Sequence, residues 1–449
     1  MANSESTQAN DNLPFGGSLE TLQFALEHHA DGDFVSAARL YGEIDPQSPS
    51  FQEGQYYLGV ALHHMGQHER AVELLRACVA QSGGRVDWAN QFGNILNAQD
   101  RIAEAAEVFA QALEKAPNNA QLWTNLGAAR ERLSDLTGAE QAYQTAISLQ
   151  PLAQDAYQLL SALYAGQNKE LEAVRAYCAG YIVAPRETTT PYLLGKAYYV
   201  LGRLEEAAEV YRAWKDAEPE NPVPAHLFAA CASGEGDIPD RCSDDYVNVT
   251  FDEYAGHFES KLSHLDYRGP TLLERLMALH FEPEARFDVL DAGCGTGLCA
   301  PILRPHAKSL VGVDLSGSML EIAHQRALYD ALHKAEIGAF LSDEAQAPQP
   351  YDLIACMDTL IYLGALPDIF SKFAASLKPG GWLIFTTERC AQNNRAYQLN
   401  PNGRYSHSVA YLRQTMEQTG FDCLVLEHET LRTELQIPVH GVIVLARRI

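Results

Sequence analysis

A glycine-rich turn behind an apolar strand constrains the fold of this chain more than any other feature. Residues 289–290 predict the end of a buried strand, which Asp291 closes. Gly293, Gly295 and Gly297 follow, and glycine lets a backbone turn tightly and lie against a ligand. A helix should begin after the turn, where its N-terminus favours a polar or anionic group. The pattern therefore predicts a ligand site at the carboxyl end of a strand.

A second apolar strand, Leu310–Asp314, also ends in a carboxylate. The stretch between Gly297 and Asp314 has room for one short helix and one strand, as a βαβ nucleotide-binding unit requires. An acidic side chain at the end of the second strand is well placed to accept both hydroxyls of a ribose. We therefore expect Asp314 to bind a nucleoside.

The spacing G-x-G-x-G behind an aspartate differs from the G-x-G-x-x-G of dinucleotide oxidoreductases. Together with later motifs it resembles the class I S-adenosylmethionine methyltransferases, over roughly Tyr246 to Ile449. The later motifs are Asp314–Met319, Leu377–Thr386, Phe421–Leu426 and Val439–Ala446. The resemblance implies an α/β doubly wound, seven-stranded domain with S-adenosyl-L-methionine as its cofactor.

The first half of the chain repeats at about 34 residues, the tetratricopeptide period. The clearest unit begins at Ala120, and Gly127, Tyr143 and Pro151 fall at consensus positions. Small residues let the two helices of a hairpin approach closely, aromatic residues fill the gap to the next repeat, and proline ends the second helix. The pattern predicts an α-solenoid with a concave surface, on which a protein or peptide partner can bind.

These patterns divide the chain into four segments. We expect a disordered N-terminus over residues 1–17 and about six repeats plus a cap over 18–233. Glycine and proline interrupt the helical pattern in a linker at 234–244, and the methyltransferase domain covers 245–449. The array, the amphipathic helix Phe251–Phe258 and two motifs resemble a bacterial group of repeat-fused predicted methyltransferases. The two motifs are Tyr267-Arg-Gly-Pro270 and Tyr405-Ser-His-Ser408.

The methyltransferase resemblance implies the donor site residue by residue. The glycine turn and Asp291 would contact the methionine part, and Asp314 the ribose. Leu315 and Met319 would lie against the adenine, although Met319 also suits ordinary core packing. The full expected set is Asp291, Gly293, Cys294, Gly295, Gly297, Asp314, Leu315, Met319, Glu336, Ile337, Arg268 and Tyr254.

Three members of this set leave alternatives open. Glu336 follows a predicted third strand and would accept the adenine amino group, with Asp343 or Glu344 as the alternative. Arg268 could pair with the methionine carboxylate, since a guanidinium suits bidentate contact, or form a surface ion pair. Tyr254 could cover the donor as part of an N-terminal lid, or pack on a helix face.

Candidate catalytic residues follow strands four and five. Tyr351–Ala355 predicts strand four, which brings Asp358 and Tyr362 to the carboxyl edge where ligands bind in such sheets. His407 lies before the last helix, and a histidine can remove a proton from an acceptor near neutral pH. A structural role is the alternative for all three, and whether a general base is used stays open.

Composition bounds the remaining possibilities. The net charge of −25 repels phosphate backbones, so a nucleic-acid substrate is disfavoured, although acidity can also serve solubility alone. No apolar run is long enough for a membrane span. The nine scattered cysteines indicate reduced thiols in a cytoplasmic protein. His63, His64 and His68 lie together without an acidic partner, and we predict no metal site.

We therefore predict a cytoplasmic S-adenosylmethionine-dependent methyltransferase whose repeats recruit or orient a partner. The methyl acceptor can be a small molecule or a protein. The alternative is a scaffold that binds S-adenosylmethionine without turnover.

Overall fold

The computed structural model of the protein describes residues 17–183, 189–232, 238–343, 350–390 and 395–449. Three predictions reach beyond these residues: the disordered N-terminus up to residue 16, linker residues 234–237, and Glu344. The chain divides into two compact units, Met1–Lys169 and Glu170–Ile449.

The first unit consists of helical hairpins. In the hairpin of residues 120–149, a Cβ atom at Gly127 would lie 2.6 Å from the ring of Tyr143, so only glycine lets these helices pack so closely. Asp135 caps the second helix by accepting a hydrogen bond from the Gly138 backbone N–H at 3.0 Å. The helices are α1 (Ser18–Ala30), α2 (Phe34–Gly42), α3 (Phe51–His64), α4 (His68–Gln81), α5 (Val86–Ala98), α6 (Ile102–Lys115), α7 (Ala120–Arg132), α8 (Leu136–Leu149) and α9 (Gln154–Gly166).

The second unit begins with four more helices of the repeat type. They are α10 (Glu170–Ile182), α11 (Pro191–Val200), α12 (Leu204–Ala217) and α13 (Pro222–Cys231). The last of them packs on the domain that follows, where His226 Nε2 lies 2.8 Å from the carbonyl oxygen of Gly403. The final repeats and the α/β domain therefore share one unit.

The α/β domain begins with a helical segment and then builds its sheet. Its helices are α14 (Asp244–Tyr254), α15 (Phe258–His264), α16 (Gly269–His280), α17 (Ala300–Leu303), α18 (Gly317–Gln325), α19 (Ile337–Ser342), α20 (Pro367–Ser376) and α21 (Val409–Gln418), with short 3-10 turns at Ala255–His257, Arg304–His306 and Leu360–Tyr362. Its strands are β1 (Phe287–Ala292), β2 (Ala307–Asp314), β3 (Ala331–Lys334), β4 (Tyr351–Cys356), β5 (Leu377–Arg389), β6 (Tyr397–Leu399), β7 (Tyr405–His407), β8 (Phe421–Glu434) and β9 (Ile437–Arg448).

The sheet has the doubly wound arrangement that the sequence predicts. Strands β3, β2, β1, β4 and β5 lie side by side and parallel, and β9 pairs antiparallel with both β5 and β8. The described residues form nine strands rather than the predicted seven, because the short strands β6 and β7 add a hairpin at the end of β5. The predicted fold class, an α-solenoid followed by an α/β doubly wound domain, is confirmed.

Two apolar layers cover the faces of the sheet. One includes Phe340, Phe370 and Phe373 from the helices on that face, and the other includes Leu272 and Leu276 of α16. Burial on both faces explains why the parallel strands are almost continuously apolar. None of the helices in the described ranges is long and apolar enough to cross a membrane.

Candidate active site

The glycine turn after β1 is held against the end of β2. The backbone N–H groups of Gly293 and Cys294 donate to the carbonyl oxygen of Val313, at 2.9 and 3.1 Å. Gly293 has φ +76°, and a Cβ atom there would collide with Thr359. The turn therefore requires glycine, as the sequence predicts. The helix behind it, α17, is only four residues long.

Asp291 closes β1 as a buried carboxylate. Its side chain accepts a hydrogen bond from the Tyr329 hydroxyl at 2.6 Å, and the residue is only 2% exposed. Burial raises the pKa of Asp291 to about 7; the charge of Asp314 adds to the rise, and the hydrogen bond from Tyr329 opposes it. A cation bound beside this carboxylate would favour its ionised form.

Asp314 closes β2 and orders the backbone around it. Its two carboxylate oxygens accept hydrogen bonds from the N–H groups of Gly295 and Ser316, both at 2.9 Å. Burial raises the pKa of Asp314, while these backbone hydrogen bonds oppose the rise. The Ser316 hydroxyl donates in turn to Asp252 of α14 at 2.5 Å. Asp314, the residue predicted to bind the ribose, thus links the glycine turn to α14 through Ser316.

A cavity of about 520 Å³ lies at this edge of the sheet. Its volume falls in the range of small-molecule sites, about 300–1,000 Å³. Ten of the twelve predicted cofactor-binding residues line it, and so do two of the three predicted catalytic residues. They are Asp291, Gly293, Cys294, Gly295, Asp314, Leu315, Met319, Glu336, Ile337, Tyr254, Asp358 and Tyr362.

Glu336 stands at the predicted adenine end of the cavity. It caps α19 by accepting a hydrogen bond from the Ala339 N–H at 2.7 Å, and it pairs with Arg241 at 3.3 Å. Met319 is only 1% exposed, so core packing and contact with a ligand both fit its position. Asp343, the predicted alternative to Glu336, does not line the cavity within the described residues.

Side chains of the segment α14–α15, here called the lid, line the cavity. The Tyr254 hydroxyl lies 3.4 Å from that of Tyr192 in α11, and the Lys261 ammonium lies 3.6 Å from the centre of the Tyr254 ring. Glu259 of α15 pairs with Arg326 at 2.6 Å. These contacts connect the lid both to the repeat helix α11 and to the sheet domain.

Two predicted cofactor-binding residues lie outside the cavity. Arg268 begins α16 and donates to Glu429 at 3.1 Å and to the carbonyl oxygen of Thr430 at 3.2 Å. These contacts match its alternative, an ion pair on the protein surface, and we leave Arg268 out of the proposed site. Gly297 faces the side chains of Tyr329 and Arg326 rather than the cavity. Its positive φ of +79° shapes the turn without contact to the space inside.

His407 also lies away from the cavity. The residue is fully buried, with Nδ1 2.7 Å from the Thr387 hydroxyl and Nε2 2.9 Å from the carbonyl oxygen of Leu363. Burial lowers the pKa of His407 to about 4. A neutral imidazole with both nitrogens engaged and no access to the cavity does not suit a general base. We therefore leave His407 out of the proposed catalytic residues.

Asp358 is the predicted catalytic residue with the most unusual backbone. Its φ is +54°, a left-handed conformation that is uncommon outside glycine, and its N–H donates to the Thr386 hydroxyl at 2.7 Å. Strained residues of this kind gather at functional sites. The carboxylate pairs with Arg432 at 3.2 Å. Tyr362 ends the 3-10 turn just beyond it.

A buried charge network stands behind Asp358. Arg432, 1% exposed, contacts Asp358, Glu388 and Glu434 together, and Arg404 pairs with Glu434 at 2.7 Å. Burial raises the pKa of Glu388, while the two arginines overcome burial and lower the pKa of Glu434. Both arginines line the cavity.

The sequence prediction missed this network and the neighbouring Tyr267. Arg432 and Glu434 are two residues apart on β8, so their side chains lie on the same face of the strand. This spacing is the one feature of the sequence that points to the network. Tyr267 lines the cavity directly beside the rejected Arg268, and burial raises its pKa well above the ordinary value.

Comparison with known proteins agrees with this architecture. Residues 262–426 match the family model of a methyltransferase domain. Tetratricopeptide-repeat models match residues 53–82, 90–156 and 159–222. The chain therefore carries tetratricopeptide repeats followed by a methyltransferase domain, and a domain of this kind implies S-adenosyl-L-methionine as cofactor.

Individual relatives match only part of the chain. The ubiquinone biosynthesis O-methyltransferase of Serratia proteamaculans is 33% identical over 100 residues, which is 22% of this chain and 42% of that protein. Its counterpart in Burkholderia lata is 30% identical over 151 residues, 29% of this chain and 60% of that protein. The chain is also similar to solved MamA from Desulfovibrio magneticus RS-1, with a TM-score of 0.36 and 18% identity over 40% of this chain and 100% of that one.

Proposed function

We propose that the cavity binds S-adenosyl-L-methionine and that the protein transfers its methyl group to a hydroxyl oxygen of a small molecule. The observation that carries this proposal is the meeting of Asp291, Asp314 and the glycine turn with Asp358 and Tyr362 in one cavity. Donor-side and acceptor-side groups must meet in this way for a direct transfer, because the reacting atoms have to be held close together.

The residues of the donor end fit the cofactor. Asp291 carries a buried carboxylate, and burial raises its pKa. A positively charged amino group or sulfonium bound beside it would favour the ionised form. Asp314 would hold the ribose, Leu315, Met319 and Ile337 would lie against the adenine, and Glu336 would accept from its amino group. When bound, S-adenosyl-L-methionine supplies a methyl group on a positively charged sulfur.

Asp358 is the proposed proton acceptor. With the cofactor bound, transfer would form a bond from the acceptor oxygen to the methyl carbon and break the bond from that carbon to sulfur, which would keep the electron pair. The hydroxyl proton passes to the Asp358 carboxylate, which the guanidinium of Arg432 orients. Tyr362 and Tyr267 line the same space and would position the acceptor. The relatives named O-methyltransferases support oxygen as the acceptor atom.

A small acceptor fits the cavity better than a polypeptide. Aromatic side chains from several elements, including the lid, line the cavity; they are Tyr192, Tyr246, Phe251, Tyr254, Phe258, Tyr267 and Tyr362. Apolar walls with a few polar groups are typical of small-molecule sites. A protein acceptor would need an open groove. We propose that the repeats, over residues 18–233, bind a protein or peptide partner, and that residues 245–449 form the catalytic domain.

The cell compartment is also part of the proposal. All nine cysteines are free thiols in the structure. Free cysteines without disulfides fit a reducing compartment such as the cytoplasm.

Radiolabelled S-adenosyl-L-methionine incubated with the full-length protein and a cell extract tests the proposal. We expect label in a small-molecule fraction, and no label when the Asp314→Ala variant replaces the protein. Label in a protein band would transfer the assignment to a polypeptide acceptor. Donor binding without any transfer would instead support a scaffold that binds the cofactor without turnover.

A further inference from the structure

A repeat helix contributes directly to the wall of the cavity. Tyr192 and Lys196 stand four residues apart on α11, so they share one face of the helix, and both line the cavity. The Tyr192 hydroxyl lies 3.4 Å from that of Tyr254 in the lid. The acceptor therefore meets a surface that the last repeats supply in part.

A second lysine faces the same space from the lid. Lys261 of α15 lines the cavity with its ammonium against the Tyr254 ring, 3.6 Å from its centre. Burial lowers the pKa of Lys261, the positive charge of Lys196 adds to the effect, and Glu253 opposes it. Lys196 and Lys261 thus bring two positive charges to the same cavity, one from a repeat helix and one from the lid.

These two lysines differ from the other cations of the cavity. Within the described ranges, neither forms an ion pair with a carboxylate, whereas each arginine of the cavity does. The arginine pairs are Arg241 with Asp244 and Glu336, Arg404 with Glu434, and Arg432 with Asp358. Two positive charges beside one cavity, neither of them in an ion pair with a carboxylate of the described residues, are complementary to an anion.

We propose that the methyl acceptor is an aromatic anion whose carboxylate or other acidic group binds between Lys196 and Lys261. The inference rests on the proposed function and specifies its substrate class. The aromatic lining favours a flat, unsaturated acceptor, because aromatic rings stack on one another. Lys196 of α11 is then a specificity-determining residue, and the repeats take part in substrate binding.

The carboxylate in the methionine part of the donor is also an anion and could bind between the two lysines in place of the acceptor. Calorimetry on the full-length protein distinguishes the acidic group of the acceptor from the donor carboxylate. S-adenosylhomocysteine is titrated first, and the saturated protein is then titrated with para-hydroxybenzoate or with para-hydroxybenzamide, an uncharged probe of nearly equal size. The variants are Lys196→Gln, Lys261→Gln and their double variant. Lys308→Gln is the matched control, since Lys308 is exposed at the opposite end of β2 and outside the cavity.

We expect the saturated protein to bind the carboxylate probe about tenfold more tightly than the amide, as a charge-assisted contact allows. The double variant should lose this preference and keep its affinity for S-adenosylhomocysteine, while Lys308→Gln should retain both. Equal affinity for the two probes, or no carboxylate binding at millimolar concentration, would overturn the inference. Weaker S-adenosylhomocysteine binding in the lysine variants would also overturn it by assigning the lysines to the donor. Failure of the wild-type protein to bind S-adenosylhomocysteine would instead refute the proposed function.

Discussion

One carboxylate oxygen of Asp314 accepts a hydrogen bond from the backbone N–H of Gly295, with 2.9 Å between oxygen and nitrogen. The strand-end acid and the glycine turn are therefore one unit, and a change in either disturbs the proposed donor site. The contact also places the Asp314 carboxylate at the wall of the cavity.

Replacing Asp314 should weaken donor binding. We expect Asp314→Ala to lower the affinity for S-adenosylhomocysteine by about 1–3 kcal/mol, because charged hydrogen bonds to a ribose are lost. Isothermal calorimetry measures the change. Asp368→Ala is the control, since Asp368 is exposed on α20 and outside the cavity. Unchanged affinity in Asp314→Ala would remove the residue from the site.

Replacing Asp291 should have opposite effects on stability and binding. Burial raises the pKa of Asp291 to about 7, whereas an unfolded aspartate has a pKa of about 4. The folded protein binds the Asp291 proton more tightly than the unfolded chain does. Ionisation of Asp291 therefore lowers the free energy of unfolding as the pH rises from about 4 to about 7. Asp291→Asn should therefore raise the free energy of unfolding at about pH 8 by about 1–3 kcal/mol, and it should weaken donor binding.

The control for Asp291→Asn is the same unfolding measurement at low pH. At about pH 4 both proteins carry a neutral side chain here, so urea unfolding should give nearly equal stabilities. A stability difference of the same size at both pH values would contradict the assigned cause.

Replacing Asp358 should slow transfer without harming donor binding. Asparagine tolerates the left-handed backbone at this position, so Asp358→Asn keeps the local fold. We expect kcat to fall about 100-fold, as for loss of a general base. The affinity for S-adenosylhomocysteine should stay within about threefold. A variant with wild-type kcat would show that Asp358 is not the proton acceptor.

Arg432 should be essential for stability. Arg432→Met leaves Glu388 buried without its closest cation, and breaking a buried pair in this way costs about 3–5 kcal/mol. Urea unfolding measures the loss. Arg275→Met removes a half-exposed arginine that pairs with Glu427 and Glu429, and should cost about 1 kcal/mol or less. Equal losses in the two variants would contradict the buried network.

His407 should make stability sensitive to acid. Burial lowers its pKa to about 4, below the value of about 6.5 in an unfolded chain. The unfolded chain then binds the extra proton first, so this contribution is complete above about pH 6.5 and is lost as the pH falls towards 4. The wild type should lose about 2–3 kcal/mol over this range through His407, and His407→Gln should show a shallower decline. Parallel pH profiles would argue against the assignment.

The positions of the proposed donor-side residues could be predicted because these residues are close together in sequence. Asp291, Gly293, Gly295 and Asp314 belong to one βαβ unit, and their positions follow from strand ends and backbone turns. The order of the parallel strands follows from the same local pattern. The β6–β7 hairpin was not predicted, since strands of three residues carry no periodic signal.

Beyond Asp358 and Tyr362, the proposed acceptor side could not be predicted because distant segments form it. Lys196 comes from a repeat helix, Tyr267 from the turn before α16 and Arg432 from β8, and only the tertiary fold brings them together. The sequence position of a motif does not fix which of two neighbouring residues, Tyr267 or Arg268, faces the cavity. The burial of His407 depends on packing partners far away in sequence, so it could not be read from the local pattern.

A crystal structure of the full-length protein soaked with S-adenosylhomocysteine tests the central claim most directly. The account predicts the nucleoside in the cavity, with its ribose hydroxyls on Asp314 and its amino acid end beside Asp291 and the glycine turn. An empty cavity at saturating ligand, or a nicotinamide nucleotide bound there instead, would contradict it.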